Sequence, residues 1–169
     1  MVELVFVEPL DSKSPGEVAG ALGRILAQLA VLQLPVVRVH TDAGSEFMSL
    51  PFRRLVDSKG LLHTAAAPQD HNANGRVENV VRRLKQQIRT VILANGHDAS
   101  RWAVAGKAVA AMWRSQTLTK LGWPQPTIVP YGAKTQILTR TWHRRRQSEW
   151  KPRAEDAVVL CPASMIKHG

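Results

Sequence analysis

Two acidic residues occupy positions where a carboxylate can do chemistry. Asp42 follows the β-rich run Val36-Val37-Arg38-Val39-His40 and precedes a glycine turn, Ala43-Gly44-Ser45-Glu46-Phe47. A carboxylate at the C-terminal edge of a strand, beside such a turn, faces the open crevice in which α/β proteins bind ligands. Glu78 falls in the first turn of a long helical pattern, directly after Asn74-Gly75. Thirty-five residues lie between the two. They hold one helix, one brief strand and one loop, enough chain to bring the carboxylates together. Each position also has a local explanation: Asp42 suits a turn, and an acidic residue is favoured at a helix N-terminus. The local and the chemical explanations are compatible.

The elements that must position these residues follow from periodicity. Glu3-Leu4-Val5-Phe6-Val7-Glu8 reads as a first strand, stopped by Pro9. Asp11 to Pro15 reads as a turn into a helix whose apolar positions are Val18, Leu22, Ile25, Leu26, Leu29 and Leu32, with Pro35 as its end. Val36–His40 reads as a second, buried strand. Ser49 to Lys59 predicts a short helix with Phe52, Leu55 and Val56 on one face. Leu61-Leu62-His63-Thr64 predicts a third strand. A loop with Pro68 and Asn74-Gly75 leads to a helix from about Arg76 to Asn95. Its stripe is Val77, Val80, Val81, Leu84, Ile88, Val91 and Ile92, and Asn95-Gly96 stops it. Asp98 can cap a further helix, roughly Ala99 to Leu118, with Trp102 and Trp113 in its packing face. The alternation of strand and helix predicts an α/β fold. A boundary is expected near residue 124, giving a core over 1–123. A Pro-containing linker and basic extension follow over 124–169, with β-rich runs at Thr135–Thr141 and Ala157–Leu160.

Composition narrows the function classes. The chain has 169 residues, 44% apolar and 21% charged, which is an ordinary globular balance. No stretch is apolar enough over some 18 residues to span a bilayer. The first ten residues carry Glu3 and Glu8 and no Lys or Arg, unlike a signal peptide. The single cysteine, Cys161, excludes an internal disulfide and a multi-cysteine zinc site. A reducing compartment, nuclear or cytoplasmic, is the expected setting. The net charge of +10 is unevenly distributed. Residues 1–75 hold 6 Lys and Arg against 8 Asp and Glu, whereas residues 76–169 hold 17 against 5. A basic C-terminal part points to a polyanionic partner. Glu78, Arg82, Lys85 and Arg89 recur at i, i+4, i+7 and i+11 and share one helix face opposite the apolar stripe. That face is either solvated or a phosphate-binding surface; a second basic run is His143-Arg144-Arg145-Arg146. The six histidines show no ligand spacing and read as structural or surface residues, and Trp123, Trp142 and Trp150 as core or interface residues.

Two segments carry a family resemblance. His40-Thr41-Asp42-Ala43-Gly44-Ser45-Glu46-Phe47 resembles the motif around the second catalytic Asp of retroviral and retrotransposon integrases. Pro68-Gln69-Asp70-His71-Asn72-Ala73-Asn74-Gly75-Arg76-Val77-Glu78 resembles their motif ending in the catalytic Glu. The 35-residue gap matches that family's spacing, and Gly96 to Ala105, with Trp102, resembles the following helix of Copia-type elements. The resemblance covers about residues 2–120. It implies an RNase H-like fold, a mixed sheet flanked by helices. It also implies DNA integration by phosphodiester cleavage and strand transfer at a site holding two Mg²⁺ or Mn²⁺ ions. Hard divalent ions prefer oxygen ligands, and two of them can stabilise the attacking and leaving oxygens. Asp42 and Glu78 would be catalytic metal ligands. Asn74, Arg82, Lys85 and Arg89 would contact DNA, and a homo-oligomer is implied.

One departure matters. The family uses three carboxylates, the first on the first strand of the sheet. Glu3–Glu8 matches the third strand, so two strands and the first Asp have no counterpart here. Glu3 and Glu8 are expected to be solvent-facing strand residues rather than substitutes, and Glu46 a structural or surface residue. The chain therefore reads as a partial or decayed integrase core. The alternative is a non-catalytic nucleic-acid-binding remnant of a retroelement polyprotein. With a strand edge exposed at Leu4–Val7, self-association is expected.

Overall fold

The computed structural model of the chain describes residues 3–66, 75–123, 125, 128–138 and 154–160. Two compact units divide the chain, Phe6–Lys85 and Met1–Val5 with Gln86–Gly169.

In the Phe6–Lys85 unit, helix α1 spans Pro15–Val31. Ser14 caps it in extended backbone, its hydroxyl accepting from the Glu17 amide at 3.4 Å. The Glu17 carboxylate reaches back to the Ser12 amide at 2.7 Å, so orphan donors at the helix start are satisfied from both directions. Strand β1 is Arg38–Thr41, helix α2 Leu50–Ser58 and strand β2 Leu62–Ala65. β1 and β2 pair in parallel, Arg38 opposite Leu62 and Thr41 opposite Ala65. Parallel neighbours need a crossover, and α2 supplies it. The core is Val18, Phe52 and Val56, with Leu10, Leu22, Val39, Phe47 and Leu61 packed around them. Helix α3, Gly75–Ala94, starts in this unit.

In the other unit, α3 runs on from Gln86. A single 3-10 turn, Ala99–Arg101, leads into helix α4, Trp102–Lys120. The buried face of α4 is built of small residues, Ala105, Gly106, Ala108, Ala110 and Ala111, with Val109 and Leu118. The Trp113 indole donates to the Gln87 side-chain oxygen at 3.3 Å, and the Arg114 guanidinium donates to the Val5 carbonyl at 2.6 Å. Strands β3, Lys134–Leu138, and β4, Ala154–Val158, form an antiparallel pair. His97 and Tyr131 meet edge to face at 5.5 Å.

Three expectations need correction. Residues 3–8 form no strand: a strand requires a hydrogen-bonded neighbour, and none is present among the described residues. The segment is half-buried and pinned by side chains instead. The Glu8 side chain, 7% exposed, accepts from Arg24 at 2.9 Å and from Gln28 at 2.9 Å, both on α1. Its carboxylate faces α1 rather than solvent. Second, α1 stops before Pro35. Gln33 takes a left-handed conformation at φ 55°, and the Leu34 and Gln33 amides close onto the carbonyls of Leu29 and Ala30. Third, several residues expected to be buried are exposed. Trp102, at 48%, lies outside the packing face of α4, and Val77 and Val81, at 61% and 40%, lie outside that of α3. The run expected as a buried strand exposes Val37, Arg38 and His40, because β1 has one strand neighbour among the described residues. Described by its parts, the molecule is a mixed α/β protein in which, among the described residues, each sheet contains two strands. None of its described helices is long and apolar enough to cross a membrane.

Candidate functional site

Asp42 is the first residue past β1 and is exposed. Its Oδ1 accepts from the Gly44 amide at 3.1 Å, the Asx turn expected of an Asp before a tight bend. Both carboxylates approach Gly44 closely: a Cβ on it would meet Glu46 Oε2 at 2.8 Å and Asp42 Oδ1 at 3.0 Å, and these side chains would have to shift to admit one. The two carboxylates therefore converge on the same glycine. The Gly44 carbonyl accepts from the amides of Phe47 and Met48, and the Ser49 hydroxyl donates to the Glu46 carbonyl at 2.6 Å. The turn is thereby tied to the start of α2.

Polar side chains of the two strands surround the same end of the sheet. His40 Nδ1 lies 2.9 Å from Thr64 Oγ1. Thr41 Oγ1 donates to the Asp42 carbonyl at 2.8 Å and lies 3.0 Å from His63 Nε2. The His63 ring rests against Phe52, centroids 5.2 Å apart. In the sequence these histidines carry no ligand spacing. Their only signal is the His-Thr dipeptide repeated in two β-rich runs, and it acquires meaning only through the parallel register.

Glu78 lies in the first turn of α3 and is exposed, as are Arg82, Lys85 and Arg89. The Arg82 guanidinium donates to Asn79 Oδ1 at 2.9 Å, which fixes the side chain without neutralising it. Among the described residues no ion pair joins Glu78 to Arg82, so the basic face keeps its charge. Asp42 and Glu78 both belong to the Phe6–Lys85 unit. Asn74, the 67–74 segment and the run at 143–146 lie outside the described residues.

Asp42, Glu46 and Glu78 are the right kind of ligand for Mg²⁺, but among the described residues no three His, Cys, Asp or Glu side chains are grouped to hold a metal. The described residues do not complete a metal cage.

No protein-family model and no curated protein matches this sequence. Solved structures do. The catalytic core domain of BIV integrase in crystal form I is similar at 19% identity and TM-score 0.48, over 74% of this chain and 71% of that one. The HTLV-2 integrase catalytic core domain in complex with magnesium, a trimeric form, is similar at 20% identity and TM-score 0.41, over 54% and 53%. A chain of the simian T-cell lymphotropic virus intasome, solved in complex with PP2A regulatory subunit B56 gamma, is similar at 17% identity and TM-score 0.50, over 88% of this chain and 55% of that one. That last likeness, spread over most of the present chain, is one of fold, and the fold is integrase-like.

Proposed function

We propose that this chain is a DNA-binding unit of the integrase type, related to DNA integration, in which Asp42 and Glu78 are two carboxylates of a divalent-metal site. The observation that supports it best is the pairing of motif with element. Asp42 stands one residue beyond β1 and Glu78 in the first turn of α3, 35 residues apart, in the order β1, α2, β2, α3. β2 ends level with β1, so the chain leaves the sheet for α3 from the end that carries Asp42. Arg82, Lys85 and Arg89 would hold phosphates, giving affinity that is sequence-independent and weakened by salt.

The incomplete donor set supports a restriction on this reading. Two carboxylates and, among the described residues, no third grouped donor leave a metal poorly held, and an ion out of place loses most of its electrostatic benefit. The chain alone therefore binds DNA without cutting it, the behaviour of a non-catalytic remnant. Cleavage and strand transfer would need a further oxygen donor.

Two measurements test the proposal. Fluorescence anisotropy with duplexes of unrelated sequence, at about 50 and 200 mM salt, should give similar affinities that drop steeply with salt. The variant Arg82→Ala/Lys85→Ala/Arg89→Ala should lower the salt slope by about one for each phosphate that is no longer neutralised. Affinity indifferent to salt, or confined to one sequence, would overturn the proposal. Incubation of supercoiled DNA with the pure chain and Mg²⁺ or Mn²⁺ should leave it intact. Robust nicking abolished by Asp42→Asn would show that the site is complete after all.

A further inference from the structure

We propose that His63 is a positioning residue for Asp42, acting through Thr41. A threonine hydroxyl owns a single proton. Here that proton goes to the Asp42 carbonyl, 2.8 Å away and one residue beyond the last rung of the β1–β2 ladder. The Ala66 amide closes the ladder on the Thr41 carbonyl at 2.8 Å, so the hydroxyl takes over where the backbone pairing stops. With its proton committed, Thr41 Oγ1 can only accept from His63 Nε2 at 3.0 Å. His63 therefore carries its proton on Nε2, and the Asp42 carbonyl, which can only accept, sets the direction of the whole chain of bonds.

The ring is itself fixed. It packs against Phe52, which is 1% exposed and belongs to the core of the unit. Rigidity is thus passed from a buried aromatic to the imidazole, from there to a hydroxyl, and on to the backbone of Asp42. At its other end the Asp42 carboxylate is held by the Gly44 amide. The residue is clasped on both sides before any ligand arrives, which is the support a functional carboxylate needs. The positioning role rests on the reading of Asp42 as a site carboxylate; the hydrogen-bond chain does not.

The test uses the full chain labelled with ¹⁵N at about pH 8, above the ordinary imidazole range. Long-range ¹H–¹⁵N correlations, with the His63 signals identified by their nuclear Overhauser contacts to the Phe52 ring, should show the Nε2–H tautomer. An Nδ1–H tautomer would reverse the bond to Thr41 and overturn the proposal, and this arm needs no folded variant. The second arm reads the Gly44 amide resonance, a reporter of the Asp42 turn. Glutamine places its nitrogen where His63 has Nε2, whereas asparagine places it where His63 has Nδ1. His63→Gln should leave the Gly44 resonance in place, and His63→Asn and His63→Leu should each displace it by more than a linewidth. Equal displacement by Gln and Leu would make His63 a packing residue only. A chain that fails to bind DNA would remove the proposed function while both outcomes here stayed readable.

Discussion

Asp42 and Asp98 are both Asx-type caps, yet their surroundings give them different work. Asp42 Oδ1 holds a turn at the end of a sheet, beside a second carboxylate. Asp98 starts the 3-10 turn before α4, where its Oδ1 accepts from the Ser100 amide at 2.7 Å. That backbone bond, reinforced by the Ser100 hydroxyl, favours the charged carboxylate and lowers its pKa below the ordinary value. A lowered folded-state pKa contributes stability that is present above the unfolded value and disappears as pH falls through the folded one. Asp98→Ala should therefore lower the melting temperature at pH 7, and the gap to the parent chain should close as the pH drops through the carboxylate range. Melts followed by circular dichroism across pH check this, and a gap constant with pH would show that the charged form has no special role.

At the scale of elements, the helices share one way of stopping. α2, α3 and α4 each end with a glycine of positive φ, Gly60, Gly96 and Gly122, and amides beyond the helix close back onto its last carbonyls. α1 uses the same motif with Gln33 in the glycine's place. A side chain in that conformation costs about 1–2 kcal/mol, partly offset by the extra freedom a glycine has when unfolded. Gln33→Gly should thus stabilise the chain by about 0.5–1 kcal/mol in denaturant titrations. The crossover helix α2 places Phe52 in the core, against Phe47 at 5.4 Å and against His63. Phe52→Ala should cost about 3–5 kcal/mol, read as a lower denaturant midpoint, and should also release the His63 ring.

On the scale of the whole molecule, the two-stranded sheets leave edges that larger sheets would cover. β1 has no partner on its far side among the described residues, and Val37 and Leu62 are exposed beside it. Unpaired strand backbone next to apolar surface favours pairing between chains. Residues 4–7, by contrast, are half-buried, and Val5 and Glu8 are held by side chains, so the edge that matters is that of β1. Size-exclusion chromatography over a wide concentration range should show association, reduced by Val37→Lys at the exposed start of β1. A monomer at every concentration would contradict this.

Sequence alone determined the elements whose information is local. The helix starts at Ser14-Pro15 and Asp98, the glycine stop at Gly96 and the order of strands and helices from Pro15 onward were legible because caps, breakers and periodicity act within a few residues. So was the candidate pair Asp42 and Glu78, because motif and spacing are linear properties. What required tertiary structure was every choice between partners far apart in the chain. Glu8 carries the marks of a strand residue until Arg24 and Gln28 on α1 claim its carboxylate. The apolar run around it carries the marks of a strand until no neighbour is found, among the described residues, to pair with it. His63 had no meaning until the parallel register set it beside Thr41 and over Phe52. Hydrogen bonds and burial are satisfied by whichever groups the fold brings within reach, and that reach is a property of the assembled chain.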